Sequence, residues 1–328
     1  MPEFSLKEFY IGAMVNILSR QMKIIDYGDL YTRSKFEAKN QRTFAMIKPD
    51  AVVNAGKIIA RIEKEGFTIS KLKYKQFTMA EVQNFYGEHK GKFFYEDLIN
   101  FIKSGPVIGM ELIGEDTIAK WRELIGPTNC NNAKTTNPYS IRAVYGTEGV
   151  RNAVHGSDST ESAKRELDIF FGSKDSQPAF LNENITCVVI KPHIIKEKKA
   201  GEALDILIEK APNHNVKMVG CEMFNLEKLA AEEFLEVYKG VLTEYGSLVE
   251  ELASGPCIAI ALQGDHLTVQ AARKIVGPHD PQIAKSIRSN TLRSIFGKDK
   301  VKNAFHCTDL EEDGQIECEF FFSIMQGY

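Results

Sequence analysis

Residues 43–52 read TFAMIKPDAV and residues 186–195 read TCVVIKPHII, with the two Lys-Pro dipeptides 143 positions apart. Four further blocks repeat in the same order. SGPVIGMEL from Ser104 pairs with SGPCIAIAL from Ser254, an offset of 150. WRELIGP from Trp121 pairs with ARKIVGP from Ala272, SIRAVYG from Ser140 with TLRSIFG from Thr291, and NAVH from Asn152 with NAFH from Asn303, all at 151. Such a slow drift of offset marks one module written twice, and duplication outranks any local reading. The segment 172–184, GSKDSQPAFLNEN, has linker chemistry. Domains are therefore expected at 41–173 and 185–328, with a linker at 174–184.

Each copy opens with a short apolar strand, 44–47 or 187–190, stopped by a proline that lacks the amide a central ladder needs. A helix with Ile58, Ile59 and Ile62 on one face follows, matched by Ala203, Leu204, Leu207 and Ile208. A second helical pattern carries Val82, Phe85, Tyr86 and His89, matched by Ala231, Phe234, Leu235 and Tyr238. The SGP blocks run into strands at 107–112 and 257–262. The order is α+β, helices interrupting a small sheet. Outside both copies, 15–18 and 22–25 read as two strands of a hairpin before the turn-like 26–29. A lone hairpin is marginal in water, so it must pack on something.

With 43% hydrophobic and 26% charged residues over 328 positions, each half has enough apolar mass for its own core. A net charge of -3 gives no global basic field, so no nucleic-acid partner is expected. The six cysteines form no Cys-x-x-Cys pair and read as reduced thiols, without a disulfide frame or zinc site. The opening MPEFSLKEFY lacks a signal peptide's apolar run, and no stretch reaches the length of a membrane span. A soluble chain of the cytoplasm, without a membrane partner, is the expectation.

The sequence holds no Walker loop and no Gly-x-Ser-x-Gly. Of seven histidines, His155 and His306 occupy the same place in the two copies, each three residues after an asparagine. Imidazole is uncommitted near neutral pH and can attack phosphorus without a separate base, provided its other nitrogen is held. Glu166, and Glu317 in the second copy, are candidates for that holder. A strand-end histidine can equally be a satisfied core residue, and duplication preserves core residues too. Cations recur beside them: Lys48 and Lys191, Arg122 and Arg273, Arg142 and Arg293. Singly, each could be a solvated residue at an element end. Together with the repeated Asn-x-x-His they make a constellation suited to phosphoryl transfer, which needs fixed positive charge more than covalent help.

IKPDAV (47–52), FYGEHKGKFF (85–94), SGPV (104–107), IRAVYG (141–146) and NAVHGSDS (152–159) together resemble nucleoside diphosphate kinases. The resemblance spans nearly all of 43–171, and 186–322 is similar but more divergent. It implies ferredoxin-like antiparallel sheets flanked by helices. It also implies a ping-pong reaction in which a nucleoside triphosphate, carried with Mg²⁺, phosphorylates His155 and a nucleoside diphosphate then takes the phosphoryl group. By the same resemblance Lys48 and Asn152 contact ribose and phosphates, Phe94 and Leu98 pack on the base, and Arg122, Thr128 and Arg142 bind phosphates. Tyr86 and His89 lie near the terminal phosphate, although Tyr86 and Phe94 also read as core aromatics. No carboxylate cluster has metal-binding spacing, so Mg²⁺ is expected on the nucleotide. The DYGD segment before two copies is similar to family members that carry a DM10 module and are associated with cilia. That implies residues 1–40 as the tail of such a module in a short form or fragment. It also implies tubulin or other axonemal proteins as partners and a place in the cytoskeleton of the ciliary axoneme, with a mainly structural, microtubule-associated role as the alternative to catalysis.

The second copy keeps Lys191, Arg273, Arg293, Asn303 and His306, and Tyr238 is expected in the Tyr86 place, with a segment two residues shorter after it. Glu244 or Tyr245 then falls where Phe94 stands, His279 replaces Thr128, and Cys307-Thr308 replaces Gly156-Ser157. Weak or absent activity is expected there.

Overall fold

The computed structural model describes residues 9–17, 20–172 and 184–325. Its strands are β1 (Met14–Ile17), β2 (Arg20–Lys23), β3 (Gln41–Ile47), β4 (Thr68–Lys75) and β5 (Val107–Gly114). They continue as β6 (Val154–Gly156), β7 (Ile185–Ile190), β8 (Lys217–Asn225), β9 (Pro256–Gln263) and β10 (Phe305–Cys307). The chain divides into two compact units, one of residues 26–174 and one joining residues 1–25 to 175–328.

In the first unit β3 lies between β5 and β6, and β4 flanks β5, all antiparallel. The order β4-β5-β3-β6 from the sequence order β3, β4, β5, β6 is the ferredoxin-like arrangement expected. Phe44 and Met46 on β3 are fully buried and pack with Val82, Phe85, Leu98, Ile102 and Phe170 from the covering helices and with Phe77 from the loop after β4. Thr78 and Glu81 cap the helix Met79–Phe85 reciprocally, a capping box that satisfies two amides the helix start would orphan. That helix stops at Phe85. Residues Gly87–His89 form a separate tighter turn, so His89 is presented off the end and not along the helix face.

The second unit repeats the plan, with β7 between β9 and β10 and β8 flanking β9. Even the irregularities recur: the ladder slips between Ile69 and Lys71 in one copy and between Met218 and Gly220 in the other. All six cysteines are buried and unpaired. Among the described residues no helix is long and apolar enough to cross a membrane. Most of the expected linker, 173–183, lies outside the described residues.

The hairpin exists, with strands ending one or two residues earlier than expected, and Leu18 lies outside the described residues. Asn16 and Gln21 face each other across it. Both reach the second copy: Gln21 Nε2 donates to the carbonyls of Leu226 (3.0 Å) and Ala253 (2.8 Å). Its Oε1 accepts from the amide of Lys228 at 2.8 Å, and Asn16 Nδ2 donates to Ala253 O at 3.2 Å. The hairpin therefore belongs with the second copy, while the helix Leu30–Lys39 goes with the first. Because one amide side chain makes three of these four bonds, Gln21→Ala should weaken hairpin docking by about 1–3 kcal/mol. Hydrogen exchange of the β1 and β2 amides should accelerate while the β7 and β9 amides keep their protection; unchanged protection in the hairpin would contradict this.

Candidate active site

Three turns aim the site of the first copy. Lys48 follows β3 and Pro49 starts the next turn, so the lysine sits where the strand ends. Helix Thr117–Ile125 closes on Gly126 in a left-handed conformation (φ 78°); a Cβ there would lie 2.3 Å from Ser140 Oγ, so only glycine fits. The Gly126 carbonyl so directed accepts from Arg142 Nη1 at 2.8 Å, and Val154 O accepts from Nη2 at 3.2 Å. Ala153 is also left-handed (φ 65°), a conformation that costs a non-glycine residue about 1–3 kcal/mol. Its amide is held by Asp50 Oδ2 at 3.1 Å, and the turn lets Asn152 and His155 line the same cavity. Ala304 repeats the turn at φ 74°.

His155 sits on β6 opposite Met46 of β3, ringed by Phe44, Phe85 and Tyr86 with centroids 5.5 to 6.1 Å away. Its Nε2 lies 2.8 Å from Glu166 Oε2. Ser157 Oγ donates to the same carboxylate oxygen at 2.7 Å. A carboxylate accepts and cannot donate, so the imidazole hydrogen is on Nε2 and Nδ1 carries the lone pair. Lys48 Nζ donates to Asn152 Oδ1 (2.7 Å) and Val150 O (3.2 Å). Burial, reinforced by the Arg142 charge, lowers the Lys48 ammonium to about 7. Burial and then Arg122 lower Arg142 to about 10.

All the residues proposed from the sequence for this copy meet: Lys48, Tyr86, Phe94, Leu98, Arg122, Thr128, Arg142, Asn152, His155 and Glu166 line one cavity of about 1110 Å³, with His89. Tyr86 Oη, Arg142 Nε and Arg165 Nε are buried on that wall without a protein partner. Lys48, Arg122, Arg142 and Arg165 on one wall suit an oxyanion ligand. Sequence reasoning missed Ser157 and Arg165. The hydroxyl kept at Ser157 and Thr308 was the available signal for the first; Arg165, 3.0 Å from Glu88, had none. Among the described residues no three His, Cys, Asp or Glu side chains gather as metal ligands.

The second copy repeats the relay but not the space. His306 Nε2 lies 2.8 Å from Glu317 Oε2, which accepts from Thr308 Oγ1 at 2.7 Å. Burial and Arg293 lower Lys191 to about 7, as in the first copy. Lys191, Tyr238, Arg293, Asn303 and His306 line a cavity of only about 30 Å³, and Arg273 is absent from its lining. Asn303 turns its amide to His279 O at 3.1 Å, leaving its own Oδ1 buried without a partner. One sequence expectation is corrected. The helices Met79–Phe85 and Lys228–Phe234 correspond, each followed by a three-residue tight turn, so Leu235 takes the Tyr86 place and Tyr238 takes that of His89. Phe94 and Glu244 both cap the next helix, so the segment between is one residue longer in the second copy, not two shorter. The helix ends agree with the periodic match of Tyr86 to Leu235 and His89 to Tyr238, against the pairing of the two tyrosines.

The family model for nucleoside diphosphate kinase matches residues 41–176 and again 184–326. The chain belongs to the nucleoside diphosphate kinase family. It is 48% identical over 328 residues to nucleoside diphosphate kinase homolog 7 of Mus musculus, covering 99% of this chain and 82% of that protein. The Rattus norvegicus protein of the same name is 46% identical over the same coverage. A nucleoside diphosphate kinase of Carboxydothermus hydrogenoformans is 47% identical over 137 residues, 41% of this chain and 90% of its own.

The lowered lysine has a measurable consequence. An unfolded lysine holds its proton to about pH 10.5, so between about pH 7 and 10.5 the unfolded chain binds the extra proton and stability falls as pH falls across that window. A polyphosphate bound beside Lys48 favours the charged form, so binding above pH 7 must draw a proton in. Calorimetry of ADP binding at pH 8, in buffers of different ionisation enthalpy, should show uptake of about one proton. Lys48→Met should abolish that uptake, and an uptake equal in both proteins would refute the assignment.

Proposed function

We propose that the first copy is a working nucleoside diphosphate kinase that moves the γ-phosphoryl group through His155. The observation that carries this is the Glu166–His155 hydrogen bond, which occupies Nε2 and leaves Nδ1 as the nucleophile in a cation-lined cavity. Nδ1 attacks the γ-phosphorus; the N–P bond forms as the bond to the β,γ-bridging oxygen breaks, and the diphosphate leaves with that electron pair. The second half reverses the step, an incoming diphosphate oxygen displacing the imidazole. Arg122 and Arg142 compensate charge on the phosphoryl oxygens, Lys48 and Asn152 hold the ribose and phosphates, and Thr128 adds a phosphate contact. Glu166 keeps the ring in one tautomer and stabilises it as charge develops. Phe94 and Leu98 offer an apolar face to the base, which reads no edge pattern and so favours no base. The nucleotide enters as its Mg²⁺ complex, the ion supplying further charge compensation on the phosphates.

Incubation with γ-labelled ATP should give an acid-labile, alkali-stable phosphoprotein, and His155→Ala should reduce both labelling and phosphoryl exchange to background. Full exchange in that variant ends the proposal.

A second role is favoured by the cavity of about 30 Å³ in the second copy together with the hairpin it holds: this copy serves as a binding surface. The reading extends, on the resemblance of the DYGD segment before two copies, to residues 1–40 as the end of a DM10 module and to residence on the tubulin lattice of the ciliary axoneme. Recovery of the protein in free cytosol, and none in salt-washed axonemes, would remove that extension.

A further inference from the structure

The loop after each active-site histidine contains an aspartate at the same place, Asp158 or Asp309, yet the two side chains do opposite things. In the first copy Asp158 Oδ1 accepts from Ser162 Oγ at 2.8 Å, and Ser162 Oγ in turn accepts from the amides of Asp158 (3.1 Å) and Ser159 (3.0 Å). With Ser159 capping the amide of Ser162 at 3.1 Å, the aspartate is tied to the start of helix Thr160–Phe171. The Ser162 hydrogen bond is the largest influence holding the Asp158 carboxyl below its ordinary range. Arg122, exposed on the cavity wall, has no hydrogen bond or ion pair from its side chain among the described residues. Its charge is available to a ligand.

In the second copy Ser159 is replaced by Leu310 and Ser162 by Asp313. A leucine cannot cap, and a second carboxylate cannot hold the first. The helix accordingly starts only at Asp313, with no side-chain cap. Burial first, then Glu317, Glu312 and Asp309, raise the Asp313 carboxyl, as expected of crowded acids. Released from the helix start, Asp309 Oδ1 forms an ion pair with Arg273 Nη1, and its Oδ2 accepts from Tyr238 Oη at 2.6 Å. A carboxylate thus holds the arginine that corresponds to Arg122 and bonds a tyrosine on the rim beside His306, whose ring centroid lies 6.2 Å away. Asp309 lines the small cavity, while Arg273 lines a neighbouring one of about 250 Å³.

We propose that Asp309 is a built-in substitute for a nucleotide phosphate that closes the second pocket, and that Ser162 is the positioning residue that prevents Asp158 from doing the same in the first. The proposal rests on the reading of the first pocket as a nucleotide site. It singles out one loop carboxylate and its tether, because the lysine, second arginine, asparagine, histidine and glutamate are present in both copies, while Leu235 and His279 replace Tyr86 and Thr128 on the walls and Glu244 stands in the place of Phe94.

The test is calorimetric titration of the full chain with ADP, counting sites. Asp309→Asn combined with Asp313→Ser should add one site per chain over the wild type. Conversely Ser162→Asp should weaken binding at the first site by about tenfold or more. Adding Asp158→Asn to Ser162→Asp should restore that binding, with circular dichroism unchanged throughout. A wild-type chain that already fills two sites, or a folded Asp309→Asn/Asp313→Ser chain that gains none, overturns the proposal. A wild type that binds nothing while the double variant gains one site overturns the first-copy reading alone.

Discussion

The site depends on the double commitment of one carboxylate. Glu166 Oε2 takes hydrogens from both Ser157 and His155, and its residue rides on a helix pinned to the sheet by Leu167 and Phe170. A buried carboxylate needs such partners to stay ionised, and the ring needs such an acceptor to keep one nitrogen free. Core packing therefore fixes the tautomer of the imidazole, with the strand β6 supplying the position and the helix supplying the polarity.

The cations follow the same logic. Arg142 is buried because two carbonyls, one directed by the left-handed turn at Gly126, accept from it; Lys48 is buried against Asn152 and Val150. Arg142 keeps its charge at some cost in solvation and Lys48 gives up its proton above about pH 7; an incoming polyanion offsets that cost for both. The second copy carries the arginine's two carbonyls, the glycine at 277 and the left-handed alanine at 304, but Lys191 donates to Val301 O and leaves Asn303 Oδ1 without a partner. The copies part at the cavity wall, where Leu235 and His279 replace Tyr86 and Thr128, and at the post-histidine aspartate, tethered to its helix in one copy and paired with an arginine in the other.

Most of the fold and much of the first site were legible in the sequence, because duplication marks the repeated lysine, arginines, asparagine and histidine and the family resemblance adds the base-facing residues, while Ser157 and Arg165 were not. The ferredoxin-like sheet came from the family resemblance, which the strand pairing bears out. Less was legible where one letter has two possible fates. Asp158 and Asp309 are the same residue at the same offset, and only the hydroxyl four positions on decides where each points. For Tyr238 the sequence offered two matches, His89 by helical spacing and Tyr86 by residue identity, and the helix ends select His89. Attachment of the hairpin to the more distant copy turned on two amide side chains, Asn16 and Gln21, that no periodicity distinguishes from solvated surface.

The central claim is that Glu166 leaves a single nitrogen of His155 able to meet phosphorus. Phosphorus NMR of the protein after brief reaction with ATP, and fragmentation of its His155 peptide, identify the phosphorylated nitrogen. The account predicts phosphate on Nδ1 alone. Phosphate on Nε2 would mean that the hydrogen bond to Glu166 is broken when the enzyme works, and would contradict it.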